Sequence, residues 1–154
     1  ARKMEQKCVL VLDCEFAKFR GEKKQKAISL AIMNLEGDVV LNTVFKPKGW
    51  ITEAGTGFHG ITKDQILAAE PVCYLKTYVH NLLHGSIVVG YALGNDLDAL
   101  KEAGFDFEPF RAIDIQPYSQ FCRPGDGSPV RLAQLIREVW HKELPPHNAV
   151  KLIA

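Results

Sequence analysis

The stretch VLVLDCEF, residues 9 to 16, constrains the fold more than any other part of the chain. Val9, Leu10, Val11 and Leu12 form an unbroken apolar run, and Phe16 resumes it after two acids. A short apolar run of this kind predicts a buried strand. Asp13 and Glu15 stand at i and i+2, so a strand turns both carboxylates to the same face. Like charges side by side repel each other, and taking them out of water is costly. A fold that keeps them must bring something that neutralises them.

The rest of the chain narrows the setting. Its 154 residues fit a single domain, expected to span 1–154, with an ordinary core from a hydrophobic fraction of 47% and a charged fraction of 24%. No apolar run reaches the roughly 18–20 residues that span a bilayer, so no membrane partner is expected. The first residues, ARKMEQK, lack the pattern of a signal peptide. The expected location is therefore intracellular, in nucleus or cytoplasm. Cys8, Cys14, Cys73 and Cys122 form no C-x-x-C pair and are expected as buried free thiols in a reducing compartment; a zinc site lacks its closely spaced ligands. Net charge is only +1, but KFRGEKKQK clusters Lys18, Arg20, Lys23, Lys24 and Lys26 just after the acidic strand. That cluster is either a solvated loop or an electrostatic guide for a phosphate chain.

Further along, AISLAIMNL and VVLNTVFKP read as two strands around a tight turn, giving an antiparallel meander with the first. Thr62 or Asp64 caps a short helix through Ile66 and Leu67, and Pro71 opens a longer one with Val72, Leu75, Val79, Leu82 and Leu83 near helical spacing, stopped by Gly85. SIVVGY is a buried strand, NDLDALKEAG a helix ended by Gly104, RAIDIQ a short strand, and SPVRLAQLIREVWHKE a helix with Pro129 in its first turn. PPHNAVKLIA begins a last helix, expected to be incomplete. The fold class is α/β: a mixed sheet, meander first and parallel strands after, flanked by helices. GTGFHG matches G-x-G-x-x-G literally, yet no buried strand precedes it, which argues against dinucleotide binding and for a loop that approaches something closely.

Asp96 and Asp114 lie at the ends of other predicted strands and are candidate partners for Asp13 and Glu15. Asp96 also suits a helix cap, Asp114 a turn, and Asp98 a solvated helical acid. Hard divalent cations, Mg²⁺ or Mn²⁺, bind carboxylate oxygens and cancel the repulsion, and a pair of them would clamp both oxygens of a phosphoryl displacement. His147 in PPHNAV is either an ordinary surface or core histidine or, near such a site, a general base.

LDCEF, FHGIT, VVGYALGNDLDALK, IDIQPYS and HNAV occur in order across nearly the whole chain. Together they resemble the DEDDh 3′–5′ exonucleases of the ribonuclease H-like fold, most of all the small eukaryotic subfamily with the interferon-stimulated and pre-ribosomal RNA exonucleases. The resemblance implies Asp13, Glu15 and Asp96 as catalytic ligands of two divalent cations, Mg²⁺ or Mn²⁺, and His147 as the base. It further implies that Phe16 and the loop of Phe58, His59, Gly60 and Ile61 contact the substrate, a single-stranded RNA or DNA. Asp114 matches a recurring acid outside the four named ligands. The family pattern also places an aspartate five residues after the histidine, where this chain has Leu152. The expected function is metal-dependent 3′–5′ exonucleolysis by two-metal phosphodiester hydrolysis. The alternatives are a weakened or inactive exonuclease-like module that binds nucleic acid or a protein, and a metal-dependent phosphatase.

Overall fold

The computed structural model describes residues 8–116 and the backbone of Lys151 and Leu152. β1 (Val9–Phe19), β2 (Lys26–Asn34) and β3 (Val39–Val44) form the expected antiparallel meander. β4 (Ile51–Glu53) follows, then α1 (Thr56–His59), α2 (Lys63–Ala68), α3 (Val72–Leu83), β5 (Ile87–Gly90), α4 (Leu93–Ala103) and β6 (Arg111–Asp114). β7 (Lys151–Leu152) completes the described strands. Six strands lie in the order β6-β5-β1-β2-β3-β7, while β4 pairs with the far end of β1.

β1 is the seam of this sheet. It pairs antiparallel with β2 on one side and parallel with β5 on the other, and β6 continues the parallel half. The alternation of β1 sends Leu10, Leu12 and Cys14 into the main core, against Val72, Leu75, Val79 and Leu83 of α3 and Leu93, Ala99 and Leu100 of α4. Each such aliphatic side chain removed from water stabilises the fold by about 1.5–3 kcal/mol. Val11, on the face shared with Asp13 and Glu15, joins a smaller cluster with Met33, Val39 and Val89.

Helix boundaries follow local chemistry. Thr62 is the cap of α2: its hydroxyl accepts from the Gln65 N–H while the Gln65 side chain accepts from the Thr62 N–H. α4 starts two residues before the predicted Asn95, because Ala92 adopts the left-handed conformation (φ 51°, ψ 44°) and serves as the cap. Asp96 thus lies inside the first turn and is not the cap.

Three expectations are corrected. Cys8 and Cys73 are exposed, and only Cys14 of the described cysteines is buried; all three are free thiols. GTGFHG is no open loop, since Thr56–His59 winds into a single helical turn with Gly55 and Gly60 left-handed at its ends. Lys151 and Leu152, read as part of a last helix, pair antiparallel with Asn42 and Leu41 and cover the outer edge of β3.

Gly90 decides how closely β5 and α4 approach β1. A Cβ there would sit 2.7 Å from Leu93 Cδ1 and 3.1 Å from the Leu12 carbonyl oxygen. Gly90→Ala is expected to destabilise the protein by about 1–3 kcal/mol, read as a lower denaturant midpoint with unchanged slope.

Candidate active site

The acids collect where strands end. Asp13 and Glu15 are on β1 as it passes the end of β5, Asp114 closes β6 opposite Gly90, and Asp96 follows β5 in the first turn of α4. The C-terminal ends of β5 and β6, and the turn beyond β5, therefore meet the middle of β1 at one place. It lies at the seam between the parallel and antiparallel halves, where open α/β sheets place their ligands.

Burial and mutual repulsion dominate the electrostatics. Desolvation, with Glu15's charge added, pushes the Asp13 carboxyl from 3.8 up to about 7, against a smaller lowering by the Cys14 backbone N–H. Asp96 is 4% exposed. Burial, then the charges of Asp13, Glu15 and Asp114, push it from 3.8 up to about 9. Asp96 Oδ2 is buried with no hydrogen-bond partner among the described residues. Burial also raises the Cys14 thiol, with help from Asp96, Asp13 and Glu15, so it stays protonated. No Lys or Arg ion-pairs with Asp13 or Asp96 among the described residues.

Asp114 acts on the frame. Its Oδ1 accepts from the Ala92 N–H and the Gln116 N–H, both at 3.0 Å. It thus holds the left-handed turn that launches α4 and aims Asp96. The sequence offers Asp114 as a turn acceptor or a candidate ligand; its bonds make it a backbone acceptor, and the left-handed alanine it serves carries no sequence signal.

A cleft of about 280 Å³ brings Glu15 and Phe16 together with Gly55, Phe58 and His59 of the α1 turn. Phe58 is 86% exposed, its ring open to solvent at the mouth of the cleft. His59 has both ring nitrogens engaged: Nδ1 accepts from the Ile61 N–H at 3.0 Å, so Nε2 carries the proton and donates to the Ala54 carbonyl at 2.8 Å. It ties the turn together and lines the cleft with its ring. Gly60 is exposed and left-handed at the end of α1. Ile61, expected with this loop to meet substrate, has a fully buried side chain, packed with Phe19, Ile28 and Ile66.

A second cleft of about 400 Å³ continues from Phe16 past Lys24, Gln25 and Asn95 to Asp98 and Glu102. Gln25, Asn95 and Glu102 line this cleft, although the sequence pattern assigns none of them a site role. Of the basic loop, Lys24 alone lines this cleft. Lys18 pairs with Glu53 at 3.1 Å, and Lys26 is buried, donating to the Lys48 carbonyl at 2.9 Å and lying over the Phe19 ring. The solvated-or-guiding choice thus has no single answer across the loop.

His147 lies outside the described residues. The backbone of Leu152 is in β7, with β3 and β2 between it and β1. Hard oxygen donors that repel each other, one with an orphaned buried oxygen, are the donor chemistry a divalent cation fits. Among the described residues, no group of three or more His, Cys, Asp or Glu side chains is arranged to hold a metal. Asp13, Glu15 and Asp96 would supply only part of such a shell. No helix among the described residues is long and apolar enough to cross a membrane.

No protein-family model matches the chain. RNA exonuclease 4 of Candida glabrata is 33% identical over 146 residues, covering 92% of this chain and 54% of that protein. The interferon-stimulated gene 20 kDa protein of Mus musculus is 31% identical over 94 residues, covering 61% of this chain and 31% of that protein. The chain thus spans about half or less of the length of these relatives. The Neurospora crassa Pan2 catalytic unit, with protease and nuclease domains, matches with a TM-score of 0.58 and 19% identity, over 93% of this chain and 25% of that one. That likeness concerns the fold, which is of the ribonuclease H-like exonuclease type.

Both raised carboxyls predict the same sign in metal-free protein. The folded state holds protons that the unfolded state releases near pH 4, so stability is lost as pH rises from about 4 through 7 and 9. Asp96→Asn is expected to flatten the alkaline part of this decline and raise the metal-free Tm at pH 8 by several degrees, roughly. Added Mn²⁺ should raise the wild-type Tm and shift that of Asp96→Asn less, as followed by calorimetry.

Proposed function

We propose that this chain, whose homologues support the DEDD-type 3′–5′ exonuclease family, removes nucleotides from the 3′ end of single-stranded RNA. The observation that carries this reading is the gathering of Asp13, Glu15 and Asp96 at the sheet seam, where burial, then the charges of Asp13 and Glu15, raise Asp96. Such a cluster is unfavourable for the apo protein, and a divalent cation relieves it. Two such ions, Mg²⁺ or Mn²⁺, would supply a Lewis acid and an activated water for phosphodiester hydrolysis.

The chain's own residues divide the work. Asp13, Glu15 and Asp96 offer the carboxylate oxygens. Phe58 and Phe16 line the cleft that opens at Glu15, where their rings suit stacking against terminal bases, a contact that reads no sequence. Gly60, exposed beside Phe58, leaves room for a nucleotide to lie along the α1 turn. Asp114 holds the backbone that places Asp96. His147 serves as the base that takes the proton of the attacking water. The RNA substrate is supported by the relatives' names, and an intracellular setting goes with it.

A 5′-labelled single-stranded RNA incubated with Mn²⁺ is expected to give a ladder shortening from its 3′ end. Asp13→Asn should reduce the rate at least about a hundredfold, or about 2.7 kcal/mol of barrier. An RNA that stays full length with the wild-type chain would overturn the assignment. Phe58→Ala is expected to raise KM roughly tenfold with little change in kcat, because stacking contributes about 1–3 kcal/mol per base.

A further inference from the structure

A third cleft, of about 340 Å³, lies where the start of α3 meets the end of α4 and the segment after β3. Four lysines line it, Lys26, Lys46, Lys48 and Lys76, against a single acid, Glu102. Lys26 pairs with Glu22 at 3.5 Å and Lys76 with Asp106 at 3.3 Å. Lys46 and Lys48 make no ion pair among the described residues. Even with Glu22 and Asp106 counted, cations outnumber anions, and no acid stands in the first turn of α3.

Solvated lysines are ordinary on a protein surface. Lysines converging on a concavity are less so, because their repulsion favours an arrangement in which they spread apart. Their placement also matters. This cleft shares Glu102 with the 400 Å³ cleft, which in turn shares Phe16 and Gln25 with the cleft at Glu15 and Phe58. The three openings therefore follow one another from the carboxylates, across Lys24, to Lys46 and Lys48. Asp98 and Glu102 of α4 lie along the way, Glu102 in the lysine cleft itself, and Lys24, Lys26, Lys46, Lys48 and Lys76 outnumber them.

We propose that the lysine cleft binds backbone phosphates of the single-stranded polynucleotide upstream of its 3′ end. It is a second anchor that holds the body of the substrate while its end sits at Glu15 and Phe58. A linear polyanion fits three clefts in series, whereas a compact anion would use one. The proposal rests on the nuclease reading for the direction of the strand. Its binding to RNA can be measured without catalysis.

The test uses the full chain carrying Asp13→Asn, so that RNA is bound but not consumed, and reads fluorescence anisotropy over a salt series. Lys46→Ala with Lys48→Ala is expected to weaken binding of a long single-stranded RNA roughly tenfold and to lower the salt slope by about 0.7 per lysine. Binding of a dinucleotide should not change, and Lys46→Arg with Lys48→Arg should restore the long-strand affinity. Unchanged affinity and slope would overturn the cleft, as would equal weakening for both lengths. So would lysine-dependent binding of a polyglutamate peptide in place of RNA. Hydrolysis by the wild-type chain is read separately. Lysine-dependent RNA binding without hydrolysis would keep the cleft and remove the exonuclease reading; hydrolysis without lysine dependence would do the reverse.

Discussion

Asp13 and Asp96 hold carboxyls that burial has stripped of most of their water, and Glu15 and Asp114 add negative charge around them. Among the described residues, no lysine or arginine answers Asp13 or Asp96. The apo protein therefore relieves the crowding by keeping protons, which is why both groups titrate far above their ordinary range. Protons and divalent cations compete for the same oxygens. The instability of the empty arrangement and its affinity for a cation are two readings of one repulsion.

The frame around those acids is built to tolerate that repulsion. β1 is paired on both sides, so the strand carrying Asp13 and Glu15 cannot easily shift. Gly90 lets β5 and α4 come close to Leu12, and the left-handed Ala92 turns the chain sharply enough to put Asp96 in the first turn of α4. A left-handed alanine costs about 1–2 kcal/mol. The charge-assisted bond from its N–H to Asp114, of a kind that contributes about 1.5–3 kcal/mol, offsets it. Asp114, which the sequence offers as a turn acceptor or a candidate ligand, is the acceptor that ties down the backbone positioning Asp96.

Charge tells a similar story away from the acids. In the sequence, Lys18 to Lys26 form one basic run. In the fold, Lys18 faces Glu53, Lys26 is drawn under Lys48 and over Phe19, and Lys24 stays on the cleft wall. Lys46, Lys48 and Lys76, spread over thirty-one positions of chain, meet Lys26 around one opening. Linear clustering described neither group, because the meander and the helices after it bring distant segments side by side.

Local pattern was enough for most of the described elements and for the paired acids of β1. The apolar run with carboxylates at i and i+2, the two strands around a tight turn, the Thr62 cap and the Gly104 stop all depend on neighbours within a few residues, which a sequence displays directly. Side-chain roles that depend on contacts across the fold were not legible. Ile61 belongs to the core and His59 to its own turn, because burial and hydrogen-bond partners come from β1, β2 and the residues around α1. The pairing of Lys151–Leu152 with β3 is likewise a matter of an open strand edge, which no helical periodicity reveals. The sequence alone determined which carboxylates this protein carries and the strand that turns two of them together. Tertiary structure decided that Asp96 joins them and that Asp114 stands behind it, because only packing can place residues eighty and a hundred positions away within reach of each other's charge.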